Sequence, residues 1–392
     1  MTNFDYTHPT RVVFGKGTIP QAGSLIKEYG GSKVLLHYGG GSIKKNGIYD
    51  TVVKSLKQAG LDVTELGGVQ PNPRLSLVRE GIKICREKKI DFILAVGGGS
   101  SIDSSKAIGV GVPYDGDVWD FFMEKAEPKK SLPVASVLTI PAAGSETSWS
   151  CVVTNEGEAL KRFLDFQVIY PVFTIMDPET MYTLPAYQVG CGITDMFLHV
   201  FERYFCAEKN VDLTDRLCEA IMKTILNNAQ RLMKDPKDYA ACAEIMWCGS
   251  LAHNNLIGQG RGGDFGCHMI EHELSGFNDV AHGAGLAVIA PNWMKFAYKH
   301  DLPRFVQFAV RVFNIEENFH NPEETALRGI KALREFFSSV GMPVTLKDIG
   351  IEEKDFAAIA KKTKKHDAAK GTTGFFRPMN AADVEEVLKL AK

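Results

Sequence analysis

The chain has 392 residues, 45 Lys and Arg against 47 Asp and Glu, a formal charge of −2, and 45% hydrophobic residues. That length exceeds what a single hydrophobic core usually organises, so two domains are expected. The near-balanced charge offers no electrostatic basis for a nucleic-acid or anionic-membrane partner.

The N-terminal MTNFDYTHPTRVVFG lacks the cationic start and apolar run of a secretory signal, and no apolar run is long enough to cross a bilayer. The eight cysteines are scattered and never form a CxxC pair, which argues against a zinc ribbon or a disulfide framework. A soluble cytoplasmic protein is expected. Through about residue 180, short apolar runs alternate with helical patterns. KVLLHY (33–38), LDVTEL (61–66), DFILAV (91–96), LPVASVLTI (132–140) and PVFTIMD (171–177) read as buried strands. IYDTVVKSLKQAG and PRLSLVREGIKICREKK between them have helical spacing. This alternation predicts a parallel, Rossmann-like sheet covered by helices.

Beyond Leu184-Pro185 the strand signal fades. LTDRLCEAIMKTILNNAQRLMKD places Leu217, Ile221 and Ile225 four apart, a helical stripe. NPEETALRGIKALREFFSSVGMP offers Asn321 as N-cap, Pro322 in the first turn, then Gly341 and Pro343 as terminators. An α/β dinucleotide-binding domain over 1–183 and an all-helical metal-binding domain over 184–392 are therefore expected. The basic run KKTKKH (361–366) reads as a solvated face.

Two glycine-rich stretches follow strands and open helices. GGGSSIDSSK (97–106) brings backbone amides and a helix N-terminus to a place where phosphate could bind, although it is not GxGxxG. HYGGGSIKKNG (37–47) puts Gly39, Gly40 and Gly41 where an NAD site usually has an acid for the ribose, followed by Ser42, Lys44 and Lys45. With no acid in that stretch to repel a 2′-phosphate, NADP(H) is expected over NAD(H).

DFGCHMIEHELSGFNDVAHGAGLAV (264–288) crowds His268, His272 and His282 together. Asp195 and His199 in GITDMFLHVFERY, and His268 and His272 in CHMIEHE, have the i,i+4 spacing that shares a helix face. HMIEH is not HExxH, so the metalloprotease motif fails. By spacing alone His268 and His272 form a chelating pair, with His282 left over. Oxygen and nitrogen donors of this kind suit zinc or divalent iron.

With YGGGSIKKNG, PNP (71–73), GGGSSID, LPVASVLTIPAAGSE, PVFTIMDPETMYTLP, GITDMFLHVFE and GCHMIEHELSGFNDVAHGAGLAVIAP, nearly the whole chain resembles the iron-containing (type III) alcohol dehydrogenases. Its likeness is to their butanol dehydrogenase and NADPH-dependent aldehyde reductase branch. The resemblance implies a parallel-sheet cofactor domain, a helical domain and one divalent metal, Fe2+ or Zn2+, in the cleft. It implies Asp195, His199, His268 and His282 as ligands, and places His272 near the nicotinamide as a proton-relay or orienting group. It further implies cofactor contacts at Gly39, Gly40, Ser42, Asn72, Gly98, Gly99, Ser100, Asp103, Thr139, Lys161 and Tyr182. In PAAGSETSWSC the chain departs from the pattern: Ala143 stands where relatives often have Thr, and Ser148 with Trp149 replaces an Asn-containing stretch.

The resemblance implies interconversion of a small primary alcohol and its aldehyde by hydride transfer with NAD(P)(H), in a homodimer. Alternatives within the superfamily are a polyol or glycerol dehydrogenase and, more remotely, a dehydroquinate synthase-like lyase. The lyase would want several basic residues for a phosphorylated substrate, and the histidine block has few. A scaffold keeping the metal for stability would be expected to have a closed site, often with thiolates.

Overall fold

The computed structural model describes all 392 residues. The five apolar runs all become strands, and three further strands accompany them. In chain order the strands are β1 (Arg11–Phe14), β2 (Lys33–Gly39), β3 (Asp62–Val69), β4 (Phe92–Gly98), β5 (Val134–Ile140), β6 (Ser150–Asn155), β7 (Leu160–Asp165) and β8 (Phe173–Met176). The chain divides into two compact units. One comprises Thr7–Leu184 and Pro236–Ser250; the other comprises Met1–Tyr6, Pro185–Asp235 and Leu251–Lys392.

The first unit is built on a six-stranded sheet of order β1-β8-β5-β4-β2-β3, every neighbour parallel. Side chains alternate across a strand, so neighbouring residues feed different cores. Leu35 and Ile93 join one apolar cluster with Val78 and Ile82 of the helix Leu75–Lys88 and with Ile108 of helix α1 (Gly99–Gly111). Val34, Leu36, Phe92 and Leu94 join another with Leu25, Ile26, Val52 and Leu56. Both faces of the sheet are covered, which is why its inner strands read as unbroken apolar runs.

Chain direction across the sheet reverses between β2 and β4, which are direct neighbours. Ligands of open parallel sheets bind beyond the carboxyl ends of the strands at such a reversal. The two glycine turns follow these same two strands. At those ends the ladders slip, between His37 and Gly39 in the β2–β3 pair and between Gly97 and Gly98 in the β4–β5 pair.

Two features escape the sequence pattern. RVVF in β1 is four residues long and pairs only with β8, at the edge. β6 and β7 form an antiparallel hairpin apart from the main sheet. The segment Pro236–Ser250 groups with the α/β unit although it lies beyond residue 183. Within that unit the Ser250 hydroxyl donates to the Glu146 carboxylate, and Trp247 meets Phe14 edge-on at 6.2 Å.

The second unit is helical. Its elements include α2 (Ala186–Tyr204), α3 (Gly266–Asn278), α4 (His282–Ala297), Asp212–Lys234, Leu302–Phe313 and Pro322–Ser339. Asn321 caps the last of these by accepting from the Glu324 N–H at 3.4 Å, and Gly341 beyond its end takes φ +79°. No helix is long and apolar enough to cross a membrane.

His37, fully buried in β2, is kept neutral by that burial. Nδ1–H donates to the Leu66 carbonyl at 2.7 Å, and Nε2 lies 2.8 Å from the Ser104 hydroxyl, which donates to it. Burial lowers its pKa from 6.5 to about 4. Between those values the unfolded chain binds a proton that the native state refuses, so stability is present above 6.5 and is lost as pH falls toward 4. The expected contribution is a slope of up to about 1.4 kcal/mol per pH unit. Urea unfolding of the α/β unit followed from pH 7 to 4.5 measures it. H37Q should show a shallower acid loss than the parent, and an equal loss in both would refute this role.

Candidate metal centre and cofactor turns

Three helices of the helical unit converge on one carboxylate. α2 carries Asp195 and His199 one turn apart, α3 carries His268 in its first turn, and α4 begins at His282. Oδ1 of Asp195 lies 3.4 Å from Nε2 of His199, 3.7 Å from Nε2 of His268 and 3.5 Å from Nε2 of His282. Four donors placed tetrahedrally at the usual bond length around one ion would be about 3.4 Å apart. The Asp195 Oδ1 and His268 Nε2 atoms are buried and have no hydrogen-bond partner, a costly arrangement for polar atoms unless a cation completes it. The residues therefore fit a divalent ion.

Two glutamates complete the set, and each serves a histidine on another helix. Glu202 of α2 accepts from His268 Nδ1 through one oxygen and from the Cys267 N–H at 2.7 Å through the other. Glu271 of α3 accepts from His282 Nδ1 and from the Ser275 hydroxyl. Both carboxylates are fully buried. By holding the Nδ1 proton, each turns Nε2 toward Asp195 with its lone pair available. Burial disfavours charge on His268, but with no ion beside it the Glu202 and Asp195 carboxylates outweigh this and lift the pKa to about 9, so metal binding would release the Nε2 proton. At His199 burial, reinforced by the His253 and His268 rings, drives the pKa well below the usual imidazole range.

Neither glutamate was singled out in the sequence, where a helical Glu reads as a solvated face. The available signal is spacing: each follows a candidate ligand by three residues, Glu202 after His199 and Glu271 after His268.

Local structure places these groups. Asp264, also buried, accepts from the Gly266 N–H at the start of α3 and from the Phe376 and Arg377 N–H groups. Burial and the Glu202 charge push its pKa to about 7. In α4, a Cβ on Gly283 would lie 2.2 Å from the Cys191 carbonyl, and one on Gly285 would lie 2.7 Å from the Glu271 side chain. Those two glycines let α4 approach α2 and α3 closely enough for His282 to reach both carboxylates.

The i,i+4 pair His268 and His272 does not chelate together. Their ring centroids are 6.4 Å apart and nearly perpendicular, at 88°. His272 is buried beside His282, with ring centroids 5.6 Å apart, and its donor atoms lie within 4.8 Å of those of Glu271 and His282.

In the α/β unit, Gly39 ends β2, Gly40 is exposed and Ser42 opens a single turn of helix. A Cβ on Gly40 would meet nothing within 4 Å, so this turn is open to a ligand. Asn72, buried after β3, takes φ +54°. Gly98 ends β4, and Gly99 and Ser100 form the first turn of α1. A Cβ on Gly98 would press to 3.0 Å on Ile140, whereas at Gly99 it would meet nothing. Gly98 thus serves packing while Gly99 leaves space at the N-terminus of a thirteen-residue helix, a favourable place for phosphate.

Asp103 faces the protein: its carboxylate accepts from the Ser145 hydroxyl at 2.5 Å and the Val152 N–H at 3.1 Å. One turn on, the fully buried Lys106 donates to the carbonyls of Ser145, Ser148 and Ser150 at 2.6, 2.9 and 2.8 Å. These two residues pin the 145–152 segment, which contains the departing Ser148 and Trp149. Thr139 is buried near the end of β5, Lys161 is buried in the β6–β7 hairpin, and Tyr182 is half-buried in the 3-10 stretch Pro178–Thr183. The expectation that no acid accompanies the first turn needs correction. Glu65, on the neighbouring β3, reaches Lys44 at 3.8 Å.

If Glu271 holds the His282 ring in its ligating form, E271Q should weaken divalent-metal affinity by about tenfold to a hundredfold. Competition of the folded variant with a chelator for Co2+ or Zn2+ measures this. An affinity within twofold of the parent would exclude the role.

Comparisons with known proteins identify the family. The family description "Iron-containing alcohol dehydrogenase" matches residues 9–178, and "Fe-containing alcohol dehydrogenase family, C-terminal" matches 191–392. The chain is 43% identical to NADH-dependent butanol dehydrogenase A of Clostridium acetobutylicum over 99% of both chains. It is 36% identical to the NADPH-dependent aldehyde reductase YqhD of Escherichia coli, covering 93% of this chain and 94% of that protein. The crystal structure of NADH-dependent butanol dehydrogenase A from Thermotoga maritima superposes with a TM-score of 0.95 at 42% identity, covering 100% of this chain and 99% of that one. The chain belongs to the iron-containing alcohol dehydrogenase family and is an oxidoreductase of alcohols and aldehydes.

Proposed function

We propose that the protein interconverts small primary alcohols, butanol among them, and their aldehydes, with aldehyde reduction by NADPH as the favoured use. The observation that carries this reading is the buried Asp195 Oδ1, which accepts no hydrogen bond and stands 3.4 to 3.7 Å from three imidazole Nε2 atoms. The dinucleotide-binding role expected of residues 1–183 falls to the unit Thr7–Leu184 with Pro236–Ser250, and the metal-binding role expected of 184–392 to the unit Met1–Tyr6, Pro185–Asp235 and Leu251–Lys392. The protein is a cytoplasmic homodimer, and its ion is Fe2+ or Zn2+, both of which this donor set accepts.

The net reaction is aldehyde plus NAD(P)H plus a proton giving primary alcohol plus NAD(P)+. Asp195, His199, His268 and His282 would hold the ion, which when bound would supply a Lewis acid for the substrate oxygen. Such polarisation is worth several kcal/mol, which removes the need for a strong catalytic acid at that oxygen. Glu202 and Glu271 keep His268 and His282 turned inward throughout. The turns at Gly39, Gly40 and Ser42 and at Gly98, Gly99 and Ser100 hold the ribose and the pyrophosphate, with Asn72, Thr139, Lys161 and Tyr182 as further contacts. Asp103 contributes by fixing the segment after β5. His272, buried beside His282, relays the proton that the product oxygen acquires.

The preference for NADP(H) rests on the absence of an acid in the Gly39–Ser42 turn and on Lys44 and Lys45 just after it. The relatives divide on this point: that of Escherichia coli is named for NADPH and those of Clostridium acetobutylicum for NADH.

H282A should lose bound metal and activity together, and full activity in a metal-free H282A protein would refute the centre. H272A should retain the metal and turn over slower by about tenfold or more; unchanged turnover would remove His272 from the proton path. Rates with butanal, glyceraldehyde and dihydroxyacetone, each with NADPH and NADH, separate the substrate classes. Higher kcat/KM for glyceraldehyde or dihydroxyacetone than for butanal would favour the polyol reading instead.

A further inference from the structure

Beside the first glycine turn lies a built cluster. Lys44 leaves the turn and its ammonium sits over two rings, 5.0 Å from the centroid of Tyr38 and 4.6 Å from that of Tyr49. Both phenols donate to one carboxylate: Tyr38 Oη to Glu65 Oε2 at 2.8 Å and Tyr49 Oη to Glu65 Oε1 at 2.5 Å. The ammonium is 3.8 Å from Glu65 Oε2. Gly67 makes room for this arrangement, because a Cβ there would lie 2.8 Å from the Tyr38 ring. The four side chains come from β2, β3, the short helix Ser42–Lys45 and the helix Ile48–Gln58, so their meeting is a product of the fold.

A 2′-phosphate is recognised by cationic donors and repelled by a carboxylate, whereas a 2′-hydroxyl tolerates or uses the carboxylate. Here the cation and the acid are tied together. The side chains of Lys44 and Glu65 are 48% and 39% exposed, so both present their charge to solvent beside the turn. Lys45 is exposed as well. With Glu65 opposing Lys44, the segment offers a 2′-phosphate less attraction than its two lysines suggest.

We propose that Glu65 is a cofactor-selectivity residue: by engaging Lys44 between Tyr38 and Tyr49, it withholds that ammonium from a 2′-phosphate and keeps NADH usable alongside NADPH. This rests on the reading that the adenosine ribose sits at Gly39, Gly40 and Ser42. Glu65 acts through Lys44, so it is a positioning and screening group with no part in hydride transfer.

The test is steady-state kinetics of butanal reduction by the metal-loaded enzyme with each cofactor, at low and high salt. E65Q keeps an acceptor for a tyrosine and removes the charge. It should raise the ratio of kcat/KM for NADPH to that for NADH by about threefold to fivefold, mainly through KM for NADPH, and the rise should shrink at high salt. K44Q should lower that ratio by about threefold or more. In the K44Q background E65Q should have little further effect. A ratio that E65Q leaves unchanged or lowers, while K44Q lowers it, overturns the role of Glu65 and leaves the placement of the ribose standing. If S42A, K44Q and K45Q all leave the ratio within twofold of the parent, the ribose does not sit at this turn and the proposal falls with that reading.

Discussion

Three carboxylates buried within one helical unit constrain everything around them. Asp195, Glu202 and Glu271 are each nearly or wholly removed from solvent, and a carboxylate in such surroundings must be neutralised or fully hydrogen-bonded. For Glu202 and Glu271 the structure supplies donors: an imidazole Nδ1 to each, the Cys267 N–H to one and the Ser275 hydroxyl to the other. For Asp195 Oδ1 it supplies three Nε2 atoms at distances too long for a hydrogen bond. A divalent cation resolves that imbalance. The linkage runs in chain order, α2 steadying the histidine of α3 and α3 steadying the histidine of α4. Each helix must therefore sit correctly for the next one's ligand to point inward. The close approaches at Gly283 and Gly285 follow from this requirement.

The α/β unit would meet a different demand on the proposed reading, the holding of phosphate and ribose by backbone. Glycines at Gly40 and Gly99 leave open space at the ends of β2 and β4, while those at Gly97 and Gly98 are needed for packing. The β2–β3 and β4–β5 ladders shift register at these ends, on either side of the place where the strand order reverses. Side chains then tune what backbone alone cannot decide. Lys106 and Asp103 fix the segment after β5, and Glu65 sets the charge beside the first turn.

Much of this was legible in the sequence because burial on both faces leaves a plain mark. The five apolar runs of the sheet announced their strands, and Asn321 and Gly341 announced the ends of their helix. RVVF was missed because four residues at a sheet edge, with one neighbour, leave little pattern. In the histidine block, spacing favoured His268 with His272, since helical spacing relates only residues on the same helix. His282 opens the next helix, and its approach to Asp195 depends on a helix–helix contact that periodicity cannot express. The resemblance nominated His282 as a ligand. Glu202 and Glu271 were hidden because their partners lie on other helices, 66 and 11 residues away. Glu65 was hidden for the same reason: it stands one strand over from the turn it influences.

X-ray absorption of the protein reconstituted with one equivalent of Zn2+ or Co2+ tests the central claim most directly, because it reads the donors themselves. The account predicts a first shell of three imidazole nitrogens and a carboxylate oxygen at about 2.0–2.2 Å, with the outer-ring scattering of histidine and no sulfur. A shell containing thiolate sulfur, or one of oxygens without imidazole scattering, would contradict it.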